Sequence, residues 1–221
     1  MISLPRAALP SGAWEALFPR ALTLIAEIRT HGGIDDPFWT LGGGTVLMFR
    51  YRHRLSKDID IFVPDPQYLG FVSPRLSDVA ASLTEDYTEA SDAFVKLQFE
   101  EGEVDFVAAP NLLDDAWETW NIGGHVVRVE KAAEIIAKKM YHRGNRATAR
   151  DLFDLALVIE REPASLRQAE PFLVRHRQAF LEQVRHPHST LRASFNAIAT
   201  LDYKPSFEAC VEMAEHFLDG L

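Results

Sequence analysis

Cysteine is nearly missing from this chain. Cys210 is the only one in 221 residues, which excludes an internal disulfide and predicts a reducing compartment, the cytoplasm. No stretch approaches the roughly 18 uninterrupted apolar residues of a membrane span. The opening MISLPRAALPSGAW has no basic segment followed by a long apolar one, so no signal peptide and no membrane are expected. Basic residues are the minority, 23 against 32 acidic, for a net charge of -9. That balance argues against general coating of nucleic acid and leaves room for a local basic pocket holding a phosphate or an RNA end. The eight histidines show no H-E-x-x-H pattern and no zinc-ligand spacing. There is no G-x-S-x-G nucleophile turn, no internal repeat and no low-complexity tract.

What is present suits a globular protein with a sizeable core: 47% apolar residues, 25% charged, 14 Phe and 4 Trp. Ser11 is the expected cap of a first helix over about 12–29, with Pro19 weakening its middle or marking its true start. FWTLGGGTVLMFRY reads as a short strand, three glycines and a helix over about 45–51. RLSKDIDIFV is a strand ended by PDP, and residues 75–84 form a short helix. AFVKLQFEEGEVDFVAAP reads as a hairpin, with strands near 93–99 and 103–108 and a turn at Glu100, Glu101 and Gly102. GGHVVRV (123–129) is a further strand. Beyond it the period turns helical, over about 130–143, 147–161, 165–184 and 206–219. The expectation is an α+β chain: a sheet-bearing core at 1–130 and a helical region at 131–221 packed against it. Cys210 falls on the apolar face of the last helix, as a core residue.

Two aspartates interrupt the apolar strand at 58–63. Side chains alternate in a strand, so Asp58, Asp60 and Phe62 share one face while Ile59, Ile61 and Val63 share the other. Two like charges about 7 Å apart need water, a cation or hydrogen bonds. Asp105 sits mid-strand in EVDFVA, where propensity disfavours it. Three such carboxylates converging on a sheet suit a hard cation, Mg²⁺ or Mn²⁺. Asp58 and Asp60 would bridge two ions, and Asp105 would hold the one that binds an attacking hydroxyl. Solvent-facing edge aspartates are the alternative.

Gly42, Gly43 and Gly44 precede a helix start whose free amides can take a phosphate, although the spacing is neither a Walker loop nor G-x-G-x-x-G. A tight strand-to-helix turn explains them equally well. Ser56 is placed to donate to a phosphate oxygen, and Arg54 to brace the loop through carboxylates. Arg50, Arg52 and His53 read as a solvated basic rim. Further on, Lys139 and Arg143 share a helix face. The functional reading puts Lys139 on the triphosphate, with Asp151 as its orienting partner or as a base for the acceptor; an ion pair between Lys139 and Asp151 that only joins two helices is the alternative. Asp154 reads as a capping or ion-pair residue.

Together, GGT-x-L and R-x-S-x-D-I-D resemble the nucleotidyltransferase superfamily related to DNA polymerase beta. With the later K-x-x-x-R and R-D-x-x-D, the chain looks more closely like the AbiEii/AbiGii-type toxin family. The match falls on Gly43, Gly44, Thr45, Leu47, Arg54, Ser56, Asp58, Asp60, Asp105, Lys139, Arg143, Arg150, Asp151 and Asp154. The resemblance implies a nucleotidyltransferase-like mixed sheet flanked by helices, followed by a helical C-terminal region. It implies metal-dependent transfer of a nucleoside monophosphate from an NTP to an acceptor, such as the 3′ end of tRNA, and a cognate antitoxin as partner. Asp58, Asp60 and Asp105 would hold metal, Gly43, Gly44 and Ser56 phosphate, and Lys139 and Asp151 the NTP or acceptor. A non-catalytic nucleotide- or partner-binding protein stays open, as does a small-molecule or protein acceptor.

Overall fold

The structure, a computed structural model, describes residues 2–3 and 9–221. The chain divides into two compact units. The first comprises Met1–Phe49, Ser56–Asn111 and Trp117–Glu130; the second comprises Arg50–Leu55, Leu112–Ala116 and Lys131–Leu221.

The first unit is built on a mixed sheet. Its strands are β1 (Ile2–Ser3), β2 (Thr40–Gly42), β3 (Ile59–Val63), β4 (Tyr87–Ala90), β5 (Phe94–Phe99), β6 (Gly102–Ala108), β7 (Trp117–Ile122) and β8 (His125–Glu130), in the order β1-β7-β8-β2-β3-β6-β5-β4. β3 runs parallel to β6 and antiparallel to β2, and β2 runs parallel to β8. Alternation decides the faces: Ile59, Ile61 and Val63 are buried while Asp60 and Phe62 between them are half-buried. α1 (Trp14–Gly32) packs on β3 and β6 and against the short helices α3 (Leu69–Val72) and α4 (Asp78–Leu83). It buries Leu17, Phe18, Ala21, Leu24, Ile25 and Ile28.

Pro19 lies inside α1. Its ring is on the exposed side, and burial of the opposite stripe outweighs the single hydrogen bond that proline removes. The N-cap is Ala13, without a side-chain cap, rather than Ser11. α2 (Gly43–Tyr51) starts directly at the end of β2, two residues earlier than its pattern predicts. β5 and β6 form the expected hairpin. The sequence pattern does not predict β4 and β7: YTEA and WETWNI are short and polar-rich, and burial alternates only at Trp120 and Ile122 of β7. Between β7 and β8, Gly123 and Gly124 both have positive φ, 61° and 91°. This is the conformation that a two-residue hairpin turn requires and that glycine adopts without penalty.

The second unit is helical: α5 (Ala132–Arg143), α6 (Ala149–Arg161), α7 (Pro163–Arg167), α8 (Glu170–Leu173), α9 (Arg177–Arg185), α10 (Ser189–Asn196) and α11 (Phe207–Asp219). The single helix expected over 165–184 is three shorter ones. Pro163 and Pro171 sit in the first turns of α7 and α8, where a proline lacks no bond it would otherwise make. Cys210 is buried on α11, as expected. Among the described residues no helix is long and apolar enough to cross a membrane.

Candidate active site

In the first unit, strand register lines up a transverse row of residues. Gly42 pairs with Asp60, Asp60 with Asp105, and Asp105 with Lys96. Directly paired residues point to the same face, so two carboxylates and an ammonium share one surface of the sheet. Gly43 adjoins them. Its φ is +70°, and a Cβ there would lie 1.9 Å from Asp60 Oδ2, so only glycine lets the α2 turn approach that carboxylate. Gly44 is the second residue of α2, among the amides at its start. Ser56 is half-buried, and its backbone amide donates to Met48 Sδ at 3.4 Å.

Asp105 is the electrostatically exceptional member. Burial, and then the neighbouring Asp60, push its carboxyl up to about 7, against the pull of Lys96. Lys96 Nζ lies 2.9 Å from Asp105 Oδ2 and 2.5 Å from Glu103 Oε2. Burial lowers the Lys96 pKa, but the bonds to Glu103 and Asp105 outweigh it and raise it. Asp105 Oδ1 is buried with no hydrogen-bond partner, an unfavourable state for a carboxylate oxygen.

Asp58 is placed differently. It precedes β3, and its Oδ1 accepts from the Glu103 amide at 3.2 Å, while Thr45 Oγ1 donates to its backbone carbonyl. Strand alternation therefore does not govern its side chain. The structure brings Asp60, Asp105 and Gly43 together and ties Asp58 to the start of β6. Among the described residues no three His, Cys, Asp or Glu side chains form a group that could hold a metal ion as they stand. The Asp60–Asp105 pair nonetheless fits a hard divalent cation. It offers carboxylate oxygens, one of them, Asp105 Oδ1, buried and without a hydrogen bond.

The second unit holds a buried ion network. Asp154 on α6 is fully buried. Its Oδ1 accepts from His53 Nε2 at 2.9 Å and Arg54 Nε at 2.8 Å; its Oδ2 accepts from Arg54 Nη2 and Lys139 Nζ, each at 2.8 Å. Burial alone would raise the Asp154 pKa, but Arg54 and Lys139 hold it well below the usual carboxylate range. Asp151 forms a capping box with Thr148 at the start of α6 and also binds Lys139 at 3.1 Å and Arg143 at 2.6 Å. Burial opposes its ionisation, and Lys139 and Arg143 overcome that and lower its pKa. Asp151 is therefore a weak proton acceptor and suits orientation of Lys139 better than base catalysis.

His53 is not part of a solvated rim. It is fully buried, and burial lowers its pKa despite Asp154. A neutral ring facing a carboxylate carries its proton on Nε2. Arg52 is exposed and pairs with Asp202 at 3.0 Å. Residues 52–55 bond to the 199–202 segment, and that pairing takes His53 and Arg54 inside.

Lys96, Glu103 and Glu130 are the residues the sequence reading passed over. Lys96 was readable: a tight turn pairing Phe99 with Gly102 puts residue 96 opposite residue 105. Glu130 has no such signal. It is fully buried, accepts from Thr40 Oγ1 at 2.9 Å and comes so close to Gly42 that a Cβ there would lie 2.2 Å from its Oε2.

Residues 31–219 match the family described as the nucleotidyl transferase AbiEii toxin of type IV toxin–antitoxin systems. Two solved structures share the fold. One is a candidate nucleotidyltransferase from H. pylori, 19% identical, with a TM-score of 0.50 over 91% of this chain and 96% of that one. The other is the nucleotidyltransferase toxin MenT4 of Mycobacterium tuberculosis H37Rv, 20% identical, with a TM-score of 0.50 over 84% of this chain and 77% of that one. A comparison with curated proteins gives no match.

Proposed function

The chain belongs to the AbiEii nucleotidyltransferase toxin family, and from that premise we propose that it transfers a nucleoside monophosphate from an NTP to an acceptor hydroxyl, that of the 3′ end of tRNA. The acceptor oxygen forms a bond to the α-phosphorus as the bond to pyrophosphate breaks. The observation that carries this reading is Asp60 beside Asp105 at the Gly43 turn, on one face of the sheet.

Asp60, Asp105 and Asp58 are the proposed ligands of Mg²⁺ or Mn²⁺. Such an ion supplies positive charge to the phosphate oxygens and lowers the pKa of an attacking hydroxyl. The turn at Gly43 and Gly44 offers backbone amides at a helix start to a phosphate, with Ser56 as a further donor. Lys139 has three N–H donors, and Asp151 and Asp154 take two; the third is proposed for a phosphate oxygen. A cognate antitoxin is the proposed protein partner.

The test is incubation with each labelled NTP, Mg²⁺ or Mn²⁺, and total tRNA. Label should appear on tRNA, and Asp60→Asn should remove it while leaving the melting curve in place. Binding of NTP with no label on any macromolecule would favour a non-catalytic nucleotide-binding protein. Label on a protein or small molecule would keep the transferase and replace the acceptor.

A further inference from the structure

The donors around the acidic pair are already partly engaged by the protein itself. Asp105 Oδ2 is held by Lys96 Nζ at 2.9 Å, and Asp58 Oδ1 by the Glu103 amide at 3.2 Å. Glu103, two residues before Asp105 on β6, binds the same ammonium through Oε2 and the Gln98 side-chain amide through Oε1 at 2.9 Å. Lys96 is therefore clamped from two sides and directed at Asp105. Asp105 Oδ1 remains, buried and without a hydrogen bond.

Resting on the transferase reading above, we propose that Lys96 is a resident cation of the site, a positioning residue that supplies at Asp105 the positive charge a second divalent ion would otherwise bring. The nucleotide-free site then takes one divalent ion, with Asp60 and Asp105 Oδ1 as its ligands. Lys96 selects which Asp105 oxygen faces that ion, and its charge keeps another divalent ion off Oδ2. No bond is made or broken in this role. Lys96 lies mid-strand in β5, so the ladder fixes its backbone and only its side chain has to be held.

Manganese binding to the whole, nucleotide-free protein tests this. Free Mn²⁺ is followed by its paramagnetic resonance signal at about pH 8.5, above the range in which a carboxyl near neutrality titrates. Wild type should bind one ion. Lys96→Met should bind Mn²⁺ at least about tenfold more tightly, or take up a second ion, because a positive charge a few ångströms away has gone. Lys96→Arg keeps the charge and should behave as wild type. Lys96→Gln serves if Lys96→Met fails to give a native melting curve. Two ions on wild type, no ion on wild type, or unchanged or weaker binding by the neutral variant would each overturn the proposal. Label transfer to an acceptor is scored separately. Its absence alongside the expected manganese behaviour would reject the transferase and not the cation arrangement, whereas transfer with unchanged manganese binding would do the reverse.

Discussion

Gly43 is the residue at which geometry leaves least freedom. Its φ of +70° and the 1.9 Å approach of Asp60 Oδ2 to a Cβ act together. Gly43→Ala should lose about 1–3 kcal/mol of stability from the backbone alone, and it should lose transfer activity by displacing Asp60. Urea denaturation beside the labelled-NTP assay checks both. An alanine variant with wild-type transfer would remove the close approach from the mechanism. Asp154 is the matching position in the helical unit. Four donors converge on it, so Asp154→Ala leaves Arg54 and Lys139 with buried charge and should cost about 3–5 kcal/mol. A loss under about 1 kcal/mol by the same denaturation measurement would mean that water replaces the carboxylate.

Helix α6 concentrates two jobs in its first turn. Thr148 caps it, and Asp151 completes the capping box while binding Lys139 and Arg143. Thr148→Ala removes the cap and should lower stability by about 0.5–2 kcal/mol. It also removes one of the two hydrogen bonds that Asp151 Oδ2 accepts, the one from the Thr148 hydroxyl at 2.8 Å, and leaves the one from the backbone amide of residue 148 at 3.2 Å. If Asp151 orients Lys139 for a phosphate, the variant should weaken NTP binding in a calorimetric titration. Unchanged affinity with the expected stability loss would confine this helix start to a structural role. The β5–β6 hairpin is the comparable element of the sheet, because its tight turn sets the register that puts Lys96 beside Asp105.

Across the molecule, stability should respond to pH in two opposing ways. His53 has a folded pKa below its ordinary 6.5, so the unfolded chain takes up its proton first. Stability then falls as pH drops below about 6.5 and until the folded ring titrates. Asp105 is raised from 3.8 to about 7, so between those values the folded protein binds the extra proton and stability falls as pH rises. The total curve mixes both, and a difference isolates one. Between about pH 7.5 and 5.5, wild type should lose more stability, or gain less, than His53→Gln, which keeps an N–H donor and does not titrate. Thermal melts across that range check it. Identical slopes would mean that His53 titrates alike in both states.

Local pattern was enough for the elements whose signal lies within a few residues of chain. The alternation of IDIFV, the hairpin FVKLQFEEGEVDF, the helical periods of α5, α6 and α11, and the glycine turn into α2 were all legible, as were Asp60, Asp105 and Gly43 as a candidate group. Side-chain partners were not, because they depend on which distant segments meet. Asp58 reads as a member of the acidic face until the β3–β6 pairing delivers the Glu103 amide to it. His53 reads as surface until residues 199–202 pair with its segment and Asp154 receives it, and only the fold names Asp154 as the carboxylate that Arg54 braces against. Hydrophobic period is a property of neighbouring residues and survives in one dimension. Burial of a charge depends on a countercharge brought from about 100 positions away, and that meeting exists only in the folded chain.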